Sequence, residues 1–349
     1  MELVEILEQL NAAFGPSGQE DEIADVIENL ARPYVDEISR DTLGNLICRK
    51  KGSGPRVMFA AHMDSVGLMV THIEENGLLR VGKLGGVRPA SILHAPVRFR
   101  SGVRGTVACN ADAQPATLKL DDLYIDTGAS TAEEARAGVD VGDPAVYDTP
   151  VRDLGDKILS PYLGVRIGCA VLLLAMERLG AVPRLGAVPR LGAVPGGTDN
   201  DLYFVFTAQE ELGTRGAATA AYAIEPDYAL AVDVMLADDQ PGAAHISSVR
   251  QGAGAGIKVM DHSMISHPAV VERLKALAAE RDIPFQMDVS SRGGTDAGAI
   301  HKSRSGVRSG GLSIPCRYTH TPMELIAKKD ALACAALLAA FAESELEKA

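Results

Sequence analysis

Arg56-Val57-Met58-Phe59-Ala60-Ala61-His62-Met63-Asp64 carries an unbroken apolar run that stops on an imidazole and a carboxylate. A strand apolar on both faces belongs inside a sheet, where no face meets water. Two other stretches have the same form. Leu202-Tyr203-Phe204-Val205-Phe206 leads to Gln209-Glu210-Glu211-Leu212, and Tyr228-Ala229-Leu230-Ala231-Val232 leads to Asp233. Because open α/β sheets bind ligands at the ends of their strands, His62, Glu210, Glu211 and Asp233 are read as parts of one site. A fourth strand-like stretch, Ile314-Pro315-Cys316-Arg317-Tyr318, brings His320 to the same kind of position.

Outward from these strands the chain divides by texture. Residues 1 to 13 form an amphipathic helix, and Ser17 with Glu20 reads as a capping box for a second helix ending near Leu30. Asp41-Thr42-Leu43-Gly44-Asn45 is the turn of a hairpin that precedes the Arg56 strand. From Gly67 to about Ser160 short β-like runs alternate with glycine and proline: Leu68 to Ile73, Leu78 to Val81, Val97 to Phe99, Gly105 to Ala108 and Ala145 to Tyr147. That spacing predicts a small barrel-like insert in a larger α/β domain. Helical patterning resumes at Cys169 to Leu179, and strands and helices alternate up to Pro322. Thr321, Pro322 and Glu324 supply a cap, an N1 proline and a capping-box acid for a last helix. The expected organisation is a discontinuous domain, 1–66 and 161–349, interrupted by a β-rich domain, 67–160.

Arg178-Leu179-Gly180-Ala181-Val182-Pro183 recurs twice more, as Arg184 to Pro189 and Arg190 to Pro195. Proline every six residues cannot continue a helix, so the repeat reads first as an expanded surface loop, with a binding or assembly segment as the lesser reading.

With 349 residues the chain can bury a large core. Its net charge of −12 disfavours a polyanionic partner such as nucleic acid. The densest basic set, Lys83, Arg88, Arg98, Arg100 and Arg104, has only Phe99 interleaved and reads as a solvated face. Five cysteines, odd in number and far apart, argue for reduced thiols. The first residues are acidic and amphipathic, unlike a secretory signal. No apolar run approaches the roughly 20 residues needed to span a bilayer.

Each motif has a bland reading when taken alone. His62-Met63-Asp64 is a histidine oriented by a structural aspartate, and Glu210-Glu211 is the acidic start of a helix. Together they have another meaning. Adjacent carboxylates at a strand end repel unless a cation or a proton divides their roles, so one can bind metal while its neighbour takes a proton from water. Asp233, ending a very apolar strand, needs a metal, a cation or backbone donors. Gly293-Gly294-Thr295-Asp296-Ala297-Gly298 is a tight turn, read either as shaping a substrate pocket or as a plain structural turn.

His62-x-Asp64, Glu210-Glu211, Asp233, Gly294-Thr295-Asp296 and Tyr318-x-His320-x-Pro322-x-Glu324 resemble, in order and spacing, the M42 metallo-aminopeptidases, a family that includes glutamyl and tetrahedral aminopeptidases and members labelled endoglucanases. The resemblance implies a zinc-peptidase-like three-layer α/β domain with a mostly parallel sheet and an inserted β-barrel. It also implies two divalent metals, zinc or cobalt, a cytoplasmic location, short peptides as substrates, and dimers assembling into a hollow dodecamer. Carried over residue by residue, His62 and Asp233 ligate one metal, Glu211 and His320 the other; Glu210 is the general base and Asp64 orients His62. One departure stands out. Leu163-Gly164-Val165-Arg166-Ile167-Gly168 is similar to a family segment with two aspartates after the leucine, the first bridging both metals, and Gly164 cannot ligate. The reading is therefore a metal-dependent aminopeptidase, with a metal-poor, catalytically impaired relative as the alternative. Polysaccharide hydrolysis is disfavoured, since the chain has no Trp to stack on sugar rings.

Overall fold

A computed structural model describes residues 1–180, 198–243 and 247–348. The hexapeptide repeat lies outside the described residues beyond Gly180.

Strand Arg56–His62 is the pivot of the molecule, pairing in parallel with Asp201–Thr207 on one side and Tyr228–Leu236 on the other. Its side chains alternate between two cores. Val57, Phe59 and Ala61 join a cluster with the helices Leu3–Ala12, Asp21–Ala31, Leu163–Gly180 and Lys328–Glu343. Met58 and Ala60 face Ala217, Ala220, Ala221 and Ile300, on the helices Arg215–Ile224 and Ala297–Ile300. Helices therefore cover both faces of the sheet, which is why the strand is apolar throughout. Phe59 and Phe204 stack across neighbouring strands with centroids 5.2 Å apart.

Among the described residues this sheet has eleven strands. It is parallel at its centre, through Asp201–Thr207, Arg56–His62, Tyr228–Leu236 and Arg308–Arg317, and mostly antiparallel outside it, the outer pair Ala255–Met260 and Phe285–Val289 being parallel. The sheet is mixed rather than mostly parallel, because outer strands such as Glu37–Arg40 and Leu46–Lys50 are joined by short loops that cannot make a parallel crossover. Strands Arg152–Asp153 and Lys157–Ser160 also pair into this sheet.

A second sheet closes on itself as a six-stranded barrel. Its strands are Gly67–Ile73, Leu79–Leu84, Pro96–Phe99, Arg104–Cys109, Leu123–Asp126 and Pro144–Tyr147, and every pairing is antiparallel. Five match the β runs read from sequence. The sixth, Leu123–Asp126, is four residues long and follows Asp121-Asp122, too short and acidic a context for alternation to stand out.

Three local expectations are corrected. The helix expected from Cys169 starts at Leu163. Gly164 and Gly168 interrupt its apolar pattern, and Gly168 is there because a Cβ would sit 2.7 Å from the Val232 carbonyl oxygen of the adjoining strand. Ser17 and Glu20 form no capping box, since the helix begins at Asp21 without a side-chain cap. Nor do Thr321 and Glu324 open a helix, because Glu324–Ala327 is a strand and the helix begins at Lys328. Among the described residues no helix is long and apolar enough to cross a membrane, and all five cysteines are free.

Candidate active site

His62, Glu210, Glu211, Asp233 and His320 all line one cleft of about 530 Å³, at the carboxyl ends of the central parallel strands. Both imidazoles are oriented in the same manner. His62 Nδ1 lies 3.2 Å from the Asp64 carbonyl oxygen, and His320 Nδ1 lies 3.0 Å from that of Gly86. A carbonyl can only accept, so in each ring Nδ1–H donates and Nε2 is the nitrogen that faces the cleft. His62 Nε2 is 3.9 Å from Glu210 Oε2 and 4.0 Å from Asp233 Oδ1. His320 Nε2 is 3.5 Å from Glu211 Oε1. Ligand atoms of His62, Glu210 and Glu211 all fall within 4.8 Å of one another, a group able to hold a metal ion.

The electrostatics suit a cation. Burial raises the Glu210, Glu211 and Asp233 carboxyls above their usual range; His62 opposes this for all three and His320 does so for Glu211 and Asp233, while neighbouring carboxylates add to it for Glu210 and Glu211. Burial would drive the His62 imidazole neutral, but Glu210, Asp64 and Asp233 outweigh it and raise its pKa well above the ordinary value. In the cleft no lysine or arginine pairs with the three carboxylates. Two imidazoles and three carboxylates with inward-facing lone pairs fit divalent metal chemistry. Gly164 lies on the same wall and contributes no ligand.

Asp64 lies beneath the site and is fully buried. Its carboxylate accepts from Ser17 Oγ at 2.6 Å and from the backbone N–H groups of Glu210 and Glu211 at 2.8 and 3.2 Å. Burial opposes its ionisation, yet His62, Ser17 and the Glu210 N–H together hold its pKa below normal. Asp64 thus fixes both elements, the His62 ring through its carbonyl oxygen and the backbone of the Glu210-Glu211 pair through its carboxylate. From below, the buried Arg166 donates from Nη1 to the Met63 carbonyl at 2.9 Å.

Sequence reasoning passed over several of these supports. Ser17 and Glu324 were read as caps. Glu324 instead accepts from the N–H of Gly164 and of His320, both at 2.5 Å, which ties the first turn of a helix to a candidate ligand. Burial pushes its carboxyl up to about 7. Asp296, in the glycine-rich turn, accepts from Thr207 Oγ1 at 2.5 Å, and burial lifts it to about 7 as well. Arg166 had a visible signal, a cation in the apolar first half of a helix. Gly86 had none, because its role depends on a contact across 234 residues. A larger hollow of about 910 Å³, between the first and last long helices, is lined by no histidine or cysteine.

The profile of the M42 glutamyl aminopeptidase family matches residues 44–337. The lysyl aminopeptidase of Pyrococcus furiosus is 34% identical over 93% of this chain and 92% of its own length. Among solved structures, an aminopeptidase of the archaeon Desulfurococcus kamchatkensis superposes with a TM-score of 0.89 at 39% identity, covering 98% of this chain and 94% of that one. The TET1 peptidase of Pyrococcus horikoshii, described as able to assemble into a tetrahedron or a large octahedral shell, gives 0.85 at 27% identity over 99% and 100%. The likeness runs over nearly the whole chain, large sheet and barrel together. The chain belongs to the M42 aminopeptidase family.

Proposed function

We propose that this protein is a metal-dependent aminopeptidase that removes N-terminal residues from short peptides. The observation that carries this reading is the convergence of both imidazoles, Nε2 inward, on three carboxylates in one cleft. His62 and Asp233 would hold one divalent cation and Glu211 and His320 the other, with zinc or cobalt suiting the nitrogen and oxygen donors. When bound, such a cation acts as a Lewis acid and lowers the pKa of water. Glu210 takes a proton from the attacking water and delivers it to the leaving amine; burial raises its pKa, which suits a group that must both accept and return a proton. Asp64 keeps the His62 ring in position. The carboxylate-rich wall attracts the free α-ammonium of the peptide. The geometry alone does not separate base from ligand, because Glu210 is as near to His62 as Asp233 is; the division of roles rests on the family pattern.

Gly164 is the one observation on the side of an impaired relative, since it leaves each cation two protein ligands where catalytic zinc usually has three. Family membership and the otherwise complete donor set favour activity. The test is hydrolysis of aminoacyl anilides and dipeptides with elemental analysis. Turnover that a chelator abolishes and zinc or cobalt restores is expected; no cleavage of any peptide with a free N-terminus at saturating metal would overturn the reading.

The assignment extends to organisation. A peptidase domain of 1–66 and 161–349 carries the cleft, and the insert of 67–160 supplies contacts for dimers that build a dodecamer, with 152–160 as the returning seam. The free thiols and acidic charge suit the cytoplasm. Light scattering should give a mass near twelve chains, and a monomer at all dilutions rejects the assembly.

A further inference from the structure

The cleft is lined by residues of both charges. Glu210, Glu211 and Asp233 are its only acidic residues among those described. Arg292 and Lys302 also line it, and both are exposed. Neither cationic side chain has an ion pair or hydrogen bond among the described residues, whereas Arg49, Arg281 and Arg317 each hold a carboxylate at 2.6 to 2.8 Å. The turn that carries Arg292 is fixed. Ser290 Oγ accepts from the Arg292 N–H and donates to its carbonyl, both at 3.1 Å. Thr295 supplies an independent sign of a ligand. It lines the cleft, is 3% exposed, and its hydroxyl is buried with no partner. Such a group is costly to leave unpaired and serves where a substrate completes it.

Resting on the aminopeptidase reading, we propose that Arg292 and Lys302, with the Thr295 hydroxyl, receive a carboxylate of the substrate. Two unpaired cations and a hydroxyl donor match a carboxylate in charge and in hydrogen bonding, and they oppose a lysyl or arginyl side chain. Family membership does not choose between these, because a relative acting on lysyl residues shares the fold. The α-ammonium goes to the three carboxylates and the substrate carboxylate to the two cations. That carboxylate is the side chain of an N-terminal Glu or Asp, or the C-terminus of a dipeptide.

The experiment compares kcat/KM for Glu- and Gln-p-nitroanilide, which differ in side-chain charge, and for Leu-Gly and Leu-Gly-amide, which differ in terminal charge. It uses the metal-loaded full chain, R292Q, K302Q and the double variant. A preference of about tenfold in the first pair, lost in the double variant, supports the proposal and assigns the side chain; the same result in the second pair supports it and assigns the C-terminus. Arg292→Lys should keep part of the preference. Peptide cleavage with both ratios near one, or with ratios unchanged in the double variant, overturns the proposal. Calorimetry with L-glutamate against L-glutamine, and Leu-Gly against its amide, reads the same pocket without turnover. A chain that cleaves no peptide therefore sinks the aminopeptidase reading, while the calorimetric preference or its absence still decides the pocket.

Discussion

Gly164 occupies the first turn of the helix Leu163–Gly180, and a Cβ there would rest at ordinary contact distance, 3.5 and 3.6 Å from the Glu324 carboxylate and 3.6 Å from Val234. No left-handed backbone and no steric demand requires glycine at this position. Gly164→Asp should therefore be accommodated, and it should raise bound metal toward two ions per chain together with peptide turnover. It also places a second acid beside Glu324, so the metal-free variant should melt below the parent and gain more Tm on adding zinc. Two tightly held metals in the parent, unchanged in the variant, would show that nothing is missing at this position. Glu210 calls for a different measurement, because it lies as near to His62 as a ligand would. Glu210→Gln should lower kcat by roughly 100- to 10,000-fold with metal content intact; loss of metal instead would make Glu210 a ligand.

At the level of elements, sequence and structure agree where burial dictates the pattern and part where long-range partners do. Val57, Phe59 and Ala61 against Met58 and Ala60 reveal a strand between two cores, and the ligand-type residues that follow the apolar runs were legible for the same reason, although Asp233 lies inside its strand, Tyr228–Leu236, rather than at its end. The two expected capping boxes were not what they looked like. Ser17 Oγ binds Asp64, and Glu20 accepts from the N–H of Gly18 and of Gln209, 189 residues away. Glu324 likewise binds N–H groups of Gly164 and His320. Local spacing announces a polar side chain in search of backbone donors; only the assembled sheet decides which donors it meets. Ser17→Ala tests this difference. It should leave far-UV helix content unchanged, lower stability by about 1–3 kcal/mol by removing a donor from the buried Asp64, and weaken metal binding. A selective loss of helix signal would restore the capping reading.

For the molecule as a whole, the buried acids make pH and metal interchangeable influences on stability. Burial raises Asp296 and Glu324 to about 7, from usual values of 3.8 and 4.5. Each binds its proton more tightly when folded, so its stabilising contribution is full below the unfolded value and lost as pH rises toward 7. His62, also raised, shifts stability the same way. The chelated protein should therefore lose Tm between about pH 5 and 8, and zinc, which replaces protons at the site, should restore it most at the upper end. A flat Tm for the chelated protein across this range contradicts the burial of these acids. The contact between Gly86 and His320 has a consequence of another sort. Gly86 lies just past Gly85 at the end of barrel strand Leu79–Leu84, and a Cβ on it would stand 2.5 Å from His320 Nδ1. The barrel and the cleft are thus not interchangeable parts in the manner of a cassette. A chimaera that receives a relative's barrel should fold and still lose metal unless the graft brings glycine to position 86 and the carbonyl that faces the ring, so the two halves of this chain can diverge only while that single residue is kept in common.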